Sequence, residues 1–446
     1  MNFFKDFWQH WHKDKLLQKV MRNSGYLFGS NVFNVMQSIL TGRLLGIMGF
    51  GIIGTITGFA SMSNRLFSFR MNELVVKYYG EFTIKNKLES AAAVIKAALI
   101  AESASALLAF IICIFLAPYA AAKLADDPSL TQYFIIYSTI ILANFATEAA
   151  TGILQISNRI RDQAGINLIS SVLSALVIVW AYFTKGGLRE IIAAYMLGKF
   201  VIGLGTAFIG FQQLNKTLEK NWWKTSFKHL PPIKELARFA FSTNISSIII
   251  MLVRDNEVLW IAWFLSPLEA GYAKAALAII NIIQMPITPL ISTTYPEINR
   301  YVIKKNWKSV KNFLRKVTFI SGGWAGLSAV LLALFGKWLL MFYGLEFQPA
   351  YLPMLFYLIG YGYANIFFWN RPLLLALGLP LVPYKTVLFC GIAKILLAFL
   401  IVPSFGLNAE AILLSAFFVI SITWIIKRGF QEIHHREEIN TVDTTA

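Results

Sequence analysis

Cysteine, histidine and charge are all scarce in this chain. Its 446 residues include 2 Cys and 5 His, and charged residues make up 14%. A soluble domain carries about 25% charged residues. Cys113 and Cys390 both lie within apolar runs, which excludes a disulfide framework. The histidines (His10, His12, His229, His434, His435) all lie outside those runs and have no metal-ligand spacing. We therefore expect no metal and no cofactor. No GxxxxGK[ST] sequence occurs, which argues against nucleotide hydrolysis in a P-loop. No continuously apolar leader opens the chain, so no cleavable signal peptide is expected. The longest polar stretch, 212–238, is too short to hide a soluble domain.

Apolar sequence fills the space these absences leave. Hydrophobic residues make up 57% of the chain. A membrane-spanning helix needs about 20 largely apolar residues. Twelve such spans are predicted, at 25–45, 47–64, 92–118, 131–154, 165–184, 188–211, 239–264, 270–293, 317–340, 350–370, 386–404 and 408–427. The fold class expected is an all-α polytopic membrane protein.

The basic residues fix an orientation. Of 40 Lys and Arg, 30 fall in the N-terminus, in every second loop and from Lys427 onward. The intervening loops with the outer span ends hold five (Arg43, Lys123, Lys185, Arg189 and Lys337), and the span interiors another five. Cytoplasmic segments retain Lys and Arg, so both termini are expected inside. The net charge of +17 then belongs to loops facing anionic headgroups, and no nucleic-acid partner is expected. Phe3, Phe4, Phe7, Trp8 and Trp11 recur at helical spacing with Lys between them, which predicts a short helix lying in the cytoplasmic interface.

The chain reads as five segments: an interfacial helix (1–24), a six-helix bundle (25–211), a cytoplasmic linker (212–238), a second six-helix bundle (239–427) and a tail (428–446). The two bundles align at one offset from end to end. It sets LGIMGFGIIG around Gly51 on LSPLEAGYAK around Gly271, and, shifted by one position, GGLREIIAAYM on FGLNAEAILLS. Six spans is an even number, so the repeats are parallel, with a cavity expected between them.

Charges inside spans are costly and mark functional candidates. The densest group is Arg254, Asp255, Asn256 and Glu257. Arg254 and Glu257 are three apart, a spacing that pairs them on one helical face. Lys274, on the next span, is a second partner for Glu257 or Asp255. The group reads either as a self-satisfied network or as a site for an anion or a coupling cation. The offset sets Asn34 and Gln37 opposite Arg254 and Glu257; with Asn31 they form a polar stripe on the first span. Arg43 contacts substrate or snorkels to the interface. Arg65 and Arg70 end the second span on the inner side, where they bind an incoming phosphate or follow the basic-loop pattern. Lys96 and Glu148 are expected to pair. Glu102, Lys199 and Lys394 stand alone inside spans; Lys199 is suited to a pyrophosphate.

The stretch NSGYLFGSNVFNVMQSILTGRLLGIMGFGIIGTITGFASM resembles the opening of the polysaccharide-repeat (O-antigen, Wzx-type) flippases, with Arg43, Leu45, Gly46, Gly49 and Gly51 in place. Asp255, Ser266, Pro267, Gly271 and Tyr272 follow the family's second-half pattern, as does GLEFQPAYLPMLFYLIGY at 344–361. The resemblance places the chain in the MOP superfamily with MATE exporters and lipid II flippases. It implies two six-helix bundles, alternating access and movement of an undecaprenyl-pyrophosphate-linked oligosaccharide across the inner membrane. It also implies a cationic cavity, onto which Arg43, Lys199, Arg254 and Lys274 map, with Asn31, Asn34 and Gln37 beside them. Asp255 and Glu257 are the ion-coupling candidates. The expected partners are the lipid-linked oligosaccharide, membrane lipids, a polysaccharide polymerase and a chain-length regulator. A cation-coupled drug exporter, a membrane enzyme of polysaccharide assembly and a non-transporting scaffold are the rival readings.

Overall fold

A computed structural model describes residues 15–68, 71–218, 221–239, 248, 251–284 and 287–445. The expected interfacial helix, with Phe3 to Trp11, lies outside them. The described residues contain helices and no strand. We number the α-helices in chain order: α1 (Lys15–Phe67), α2 (Met71–Leu74), α3 (Gly80–Ile84), α4 (Leu88–Leu124), α5 (Thr131–Ser138), α6 (Ile140–Ala143), α7 (Thr147–Ile156), α8 (Ile160–Phe183) and α9 (Leu188–Thr217). After the linker come α10 (Glu257–Phe264), α11 (Pro267–Gln284), α12 (Thr288–Ile303), α13 (Trp307–Met341), α14 (Tyr351–Ile366), α15 (Asn370–Ala376) and α16 (Leu381–Thr445).

Among the described residues, eight helical stretches are long and apolar enough to cross a membrane. Two of them, Phe28–Ile84 and Leu381–Glu438, run to 57 and 58 residues, more than one crossing needs. Each breaks at a glycine: Gly46 has φ 66° within α1, and Gly406 has φ 70° within α16. Only glycine takes such a conformation without steric cost. The breaks fall between the first and second predicted spans and between the eleventh and twelfth.

The chain divides into two compact units, Met1–Met251 and Leu252–Ala446. Their elements repeat in order. The helix starts pair as Leu88 with Trp307, Thr131 with Tyr351 and Ile160 with Leu381. Each pair keeps, give or take a single position, the spacing that sets Gly51 on Gly271. The offset found in the sequence is therefore structural.

Within each unit the spans pack through small residues, as lipid-embedded helices do. A Cβ on Gly203 of α9 would run into the Ala143 carbonyl oxygen, and one on Gly360 of α14 would meet the Ser415 Cα at 2.6 Å. Large apolar side chains point outward instead, including Leu107, Phe115, Phe183, Leu334 and Leu400. This inverts the pattern of a water-soluble bundle and suits a lipid surround.

The linker does not hang free of the first unit. Trp222 stacks on Phe211 with centroids 6.3 Å apart, and the Tyr78 hydroxyl donates to Glu235 at 2.8 Å. Lys96 Nζ donates to the Thr225 carbonyl at 3.2 Å and sits 4.4 Å from the Phe227 ring centroid. This corrects the expected Lys96–Glu148 pair: the docked linker supplies the partner that the sequence assigned to Glu148.

Candidate functional site

In the first unit, the polar stripe of the first span turns one edge toward α8. Gln37 is buried and its Nε2 donates to the Ser171 carbonyl at 2.8 Å. Ser171 Oγ reaches Asn34 Oδ1 at 3.1 Å and the Ser30 hydroxyl at 2.6 Å. Gln37 thus ties the first span to α8. Asn34 keeps an exposed edge, and Asn31 is half-buried.

Glu102 of α4 is buried and spends both carboxylate oxygens on the start of α7. They accept the Glu148 N–H at 2.7 Å and the Ala149 N–H at 3.0 Å. A carboxylate there satisfies orphan donors and complements the helix dipole. Glu148 accepts from Ser68 Oγ at 2.6 Å. Both acids border a cavity of about 200 Å³ with Asn64, Ser105, Asn144 and Thr147.

Lys199 of α9 behaves differently. It lies well inside a span, is exposed, and makes no ion pair with an acid among the described residues. The charge that acts on it is Arg65, itself exposed at the end of α1. Arg43 is exposed as well. Arg70 lies outside the described residues.

The second unit holds the more concentrated chemistry. Residues Met251–Asp255 form a π-turn, and Asn256 then leaves helical geometry with φ −114° and ψ 29° before α10 begins at Glu257. The break separates neighbours that a continuous helix would keep on one face. Arg254 and Asp255 are exposed, and Arg254 Nε donates to Asp255 Oδ1 at 2.8 Å. Glu257 is 2% exposed and faces the interior. The expected Arg254–Glu257 pair is thereby corrected.

The interior partner of Glu257 is Lys394, not Lys274. Lys394 Nζ lies 2.6 Å from Glu257 Oε1 and 2.6 Å from Glu410 Oε1, and donates to the Val253 carbonyl at 3.4 Å. Gly391, one turn earlier on α16, makes this possible. A Cβ there would run into Val253 Cγ2, so the close approach that brings Lys394 onto the π-turn requires glycine. Glu410 is 0% exposed. Among the described residues, Glu410 Oε2, Glu257 Oε2 and the Tyr357 hydroxyl have no hydrogen-bond partner. Lys394 therefore does not face an open cavity, and Lys274 is half-buried on α11.

Glu410 escaped the sequence reading. A signal was there: it is a carboxylate inside an apolar run, at the position the repeat pairs with Glu190. Glu190 caps α9 by accepting the Gly187 N–H at 2.7 Å. The same offset sets Gln37 against Glu257 and Ser174 against Lys394. The triad is thus an ionised version of positions that are uncharged or solvent-facing in the first unit.

Comparison with known proteins fits this architecture. Inner membrane protein YghQ of Escherichia coli (strain K12) is 24% identical over 351 residues, which cover 77% of this chain and 98% of that protein. An inward-facing multidrug resistance MATE family transporter of the MOP superfamily superposes with a TM-score of 0.73 at 11% identity, over 92% of this chain and 96% of that one. The lipid II flippase MurJ in an inward closed conformation gives 0.70 at 14% identity, over 95% of this chain and 92% of that one. The fold is the multi-span helical fold of these proteins, as the sequence resemblance implied. The sequence family described as polysaccharide biosynthesis protein matches residues 17–302, more than half of the chain, and the chain belongs to that family.

Proposed function

We propose that this protein is a flippase that carries an undecaprenyl-pyrophosphate-linked oligosaccharide from the inner to the outer leaflet by alternating access. It supplies surface polysaccharide assembly and breaks no covalent bond. The observation that carries this reading is the sign of the accessible charge within the spans. Arg43, Lys199 and Arg254 are exposed, with Arg65 at the inner end of α1. The embedded acids are withdrawn: Glu102 into a helix cap, Glu148 onto Ser68, and Glu257 and Glu410 onto Lys394. Of the embedded acids among the described residues, Asp255 alone is exposed, and Arg254 neutralises it. A cationic, hydratable lining suits a pyrophosphate, whose transfer through bare hydrocarbon would cost on the order of 20 kcal/mol per charge in an idealised continuum. A cation-coupled drug exporter calls for the reverse, a lining dominated by carboxylates.

The cavity ligands in this reading are Arg43, Lys199, Arg254 and Lys274, with Asn31 and Asn34. The setting is a bacterial inner membrane with both termini cytoplasmic, as the basic loops indicate. A polymerase and a chain-length regulator are the protein partners such a route requires. The test is reconstitution of the purified protein in liposomes with a labelled lipid-linked oligosaccharide. We expect protein-dependent movement between leaflets with no covalent turnover. A correctly folded protein that moves no such lipid overturns the proposal, and covalent turnover would favour the enzyme reading.

A further inference from the structure

Two carboxylates and one ammonium do not balance. Glu257, Glu410 and Lys394 are 2%, 0% and 4% exposed, so water does not make up the difference. With all three ionised, the cluster carries one negative charge in a surround that tolerates none unpaired. The geometry shows where the balancing charge goes. Glu257 Oε1 and Glu410 Oε1 each lie 2.6 Å from the one Lys394 Nζ, so the two carboxyls share a single counter-charge. Two carboxylates that share a dry site and one ammonium do not both stay ionised, so one of them takes up a proton. Glu257 Oε2 and Glu410 Oε2 are also left without another partner among the described residues, so both are open to accept it.

A metal ion does not fit the same place. Hard cations take six or so oxygen ligands in a roomy shell. Here the Lys394 ammonium already stands 2.6 Å from each carboxylate, in the position a cation would occupy.

We propose that Glu257, Lys394 and Glu410 form a proton-binding site in the second unit, in which the two carboxylates share one exchangeable proton and the Lys394 ammonium excludes metal cations. On uptake, one carboxylate and H+ become a carboxylic acid that donates to the other, and the cluster becomes neutral. On release, the cluster returns to one negative charge. The charged and titratable groups around it come from the π-turn, α11 and α14. Tyr357 of α14 is buried and lies in the field of both carboxyls, and Tyr361, one turn on, lies in the field of Glu257, Arg254 and Asp255. Arg254 and Asp255, paired with each other, are exposed. Glu269 acts on Tyr357 from α11, which also carries Lys274. If the protein is a flippase, this is its means of responding to a proton gradient. The site itself does not depend on that reading.

The test is infrared difference spectroscopy of the full-length protein in nanodiscs, titrated from acid to alkaline pH. We expect a carbonyl-stretch band from a buried protonated carboxyl that fades as pH rises. It should be missing in both Glu257→Gln and Glu410→Gln, because either change leaves one carboxylate balanced by Lys394. Sodium and potassium should leave the titration unmoved. Where a Gln variant is not monodisperse, Glu257→Asp or Glu410→Asp should displace the band. Three results overturn the proposal: no such band at any pH, a band that survives both variants, or one removed only by Glu102→Gln. A titration that shifts with sodium also overturns it. The readout needs no transport, so a protein that fails to move lipid in liposomes sinks the flippase proposal alone.

Discussion

Charged residues within the spans fall into two populations that differ in what they can meet. Lys199 and Arg254 are exposed, while Glu102, Glu257, Lys394 and Glu410 are buried with partners. An exposed cation inside a span faces water or a ligand, since hydrocarbon disfavours it by about 3 kcal/mol or more. Lys199→Ala and Arg254→Ala should each lower the rate of lipid-linked oligosaccharide movement at least about tenfold, equivalent to about 1.4 kcal/mol. Membrane expression should stay normal, because neither side chain holds a buried partner. Full activity in both variants would remove the cationic site from the account. The sequence located these residues in depth, but it could not assign their partners. The i,i+3 rule behind an Arg254–Glu257 pair assumes an unbroken α-helix. The π-turn at Met251–Asp255 and the non-helical Asn256 break that assumption. Lys96 failed for a different reason, because its partners lie on a linker far along the chain, at Thr225 and Phe227.

At the scale of elements, glycines decide where the long helices turn and how close they come. Gly406 has φ 70° and ψ −160°, a region close to glycine-only, and a Cβ there would meet nothing within 4 Å. Gly406→Ala should therefore cost only backbone strain, about 1–3 kcal/mol, and lower the melting temperature in detergent. Gly362 is the control. It lies inside α14, and a Cβ there also meets nothing within 4 Å. Gly362→Ala should be neutral or stabilising by up to about 1 kcal/mol. Equal losses in both variants would show that the break at Gly406 does not depend on its dihedral angle. The positions of both breaks could be read from the sequence, as the glycines between the first two and the last two spans. Gly391 could not be read in the same way. Its role is to admit Val253, and a close approach between distant helices leaves no local pattern.

The molecule as a whole carries two statements of different origin. Its orientation is a property of loops, and a labelling experiment checks it directly. With Cys113 and Cys390 replaced by alanine, His435→Cys on the exposed tail should react with a membrane-impermeant maleimide in inside-out vesicles and stay unlabelled in right-side-out ones. The opposite pattern would reverse the topology. Its division into two repeats is a property of the fold. It is visible first as weak similarity at one offset, and then as helix starts that keep the same spacing.

Hydropathy, basic loops and the internal offset are one-dimensional signals. A bilayer turns them into structure through simple constraints: span length, backbone hydrogen bonding and charge retention on one side. The sequence by itself therefore determined the membrane class, the expected topology, the repeat and the family resemblance. Whether a buried charge is balanced, capped or left for a ligand depends on side chains that meet across helices far apart in the chain. Only the tertiary structure decided that Lys394 stands between Glu257 and Glu410, that Glu102 caps a helix, and that Lys199 and Arg254 stay exposed.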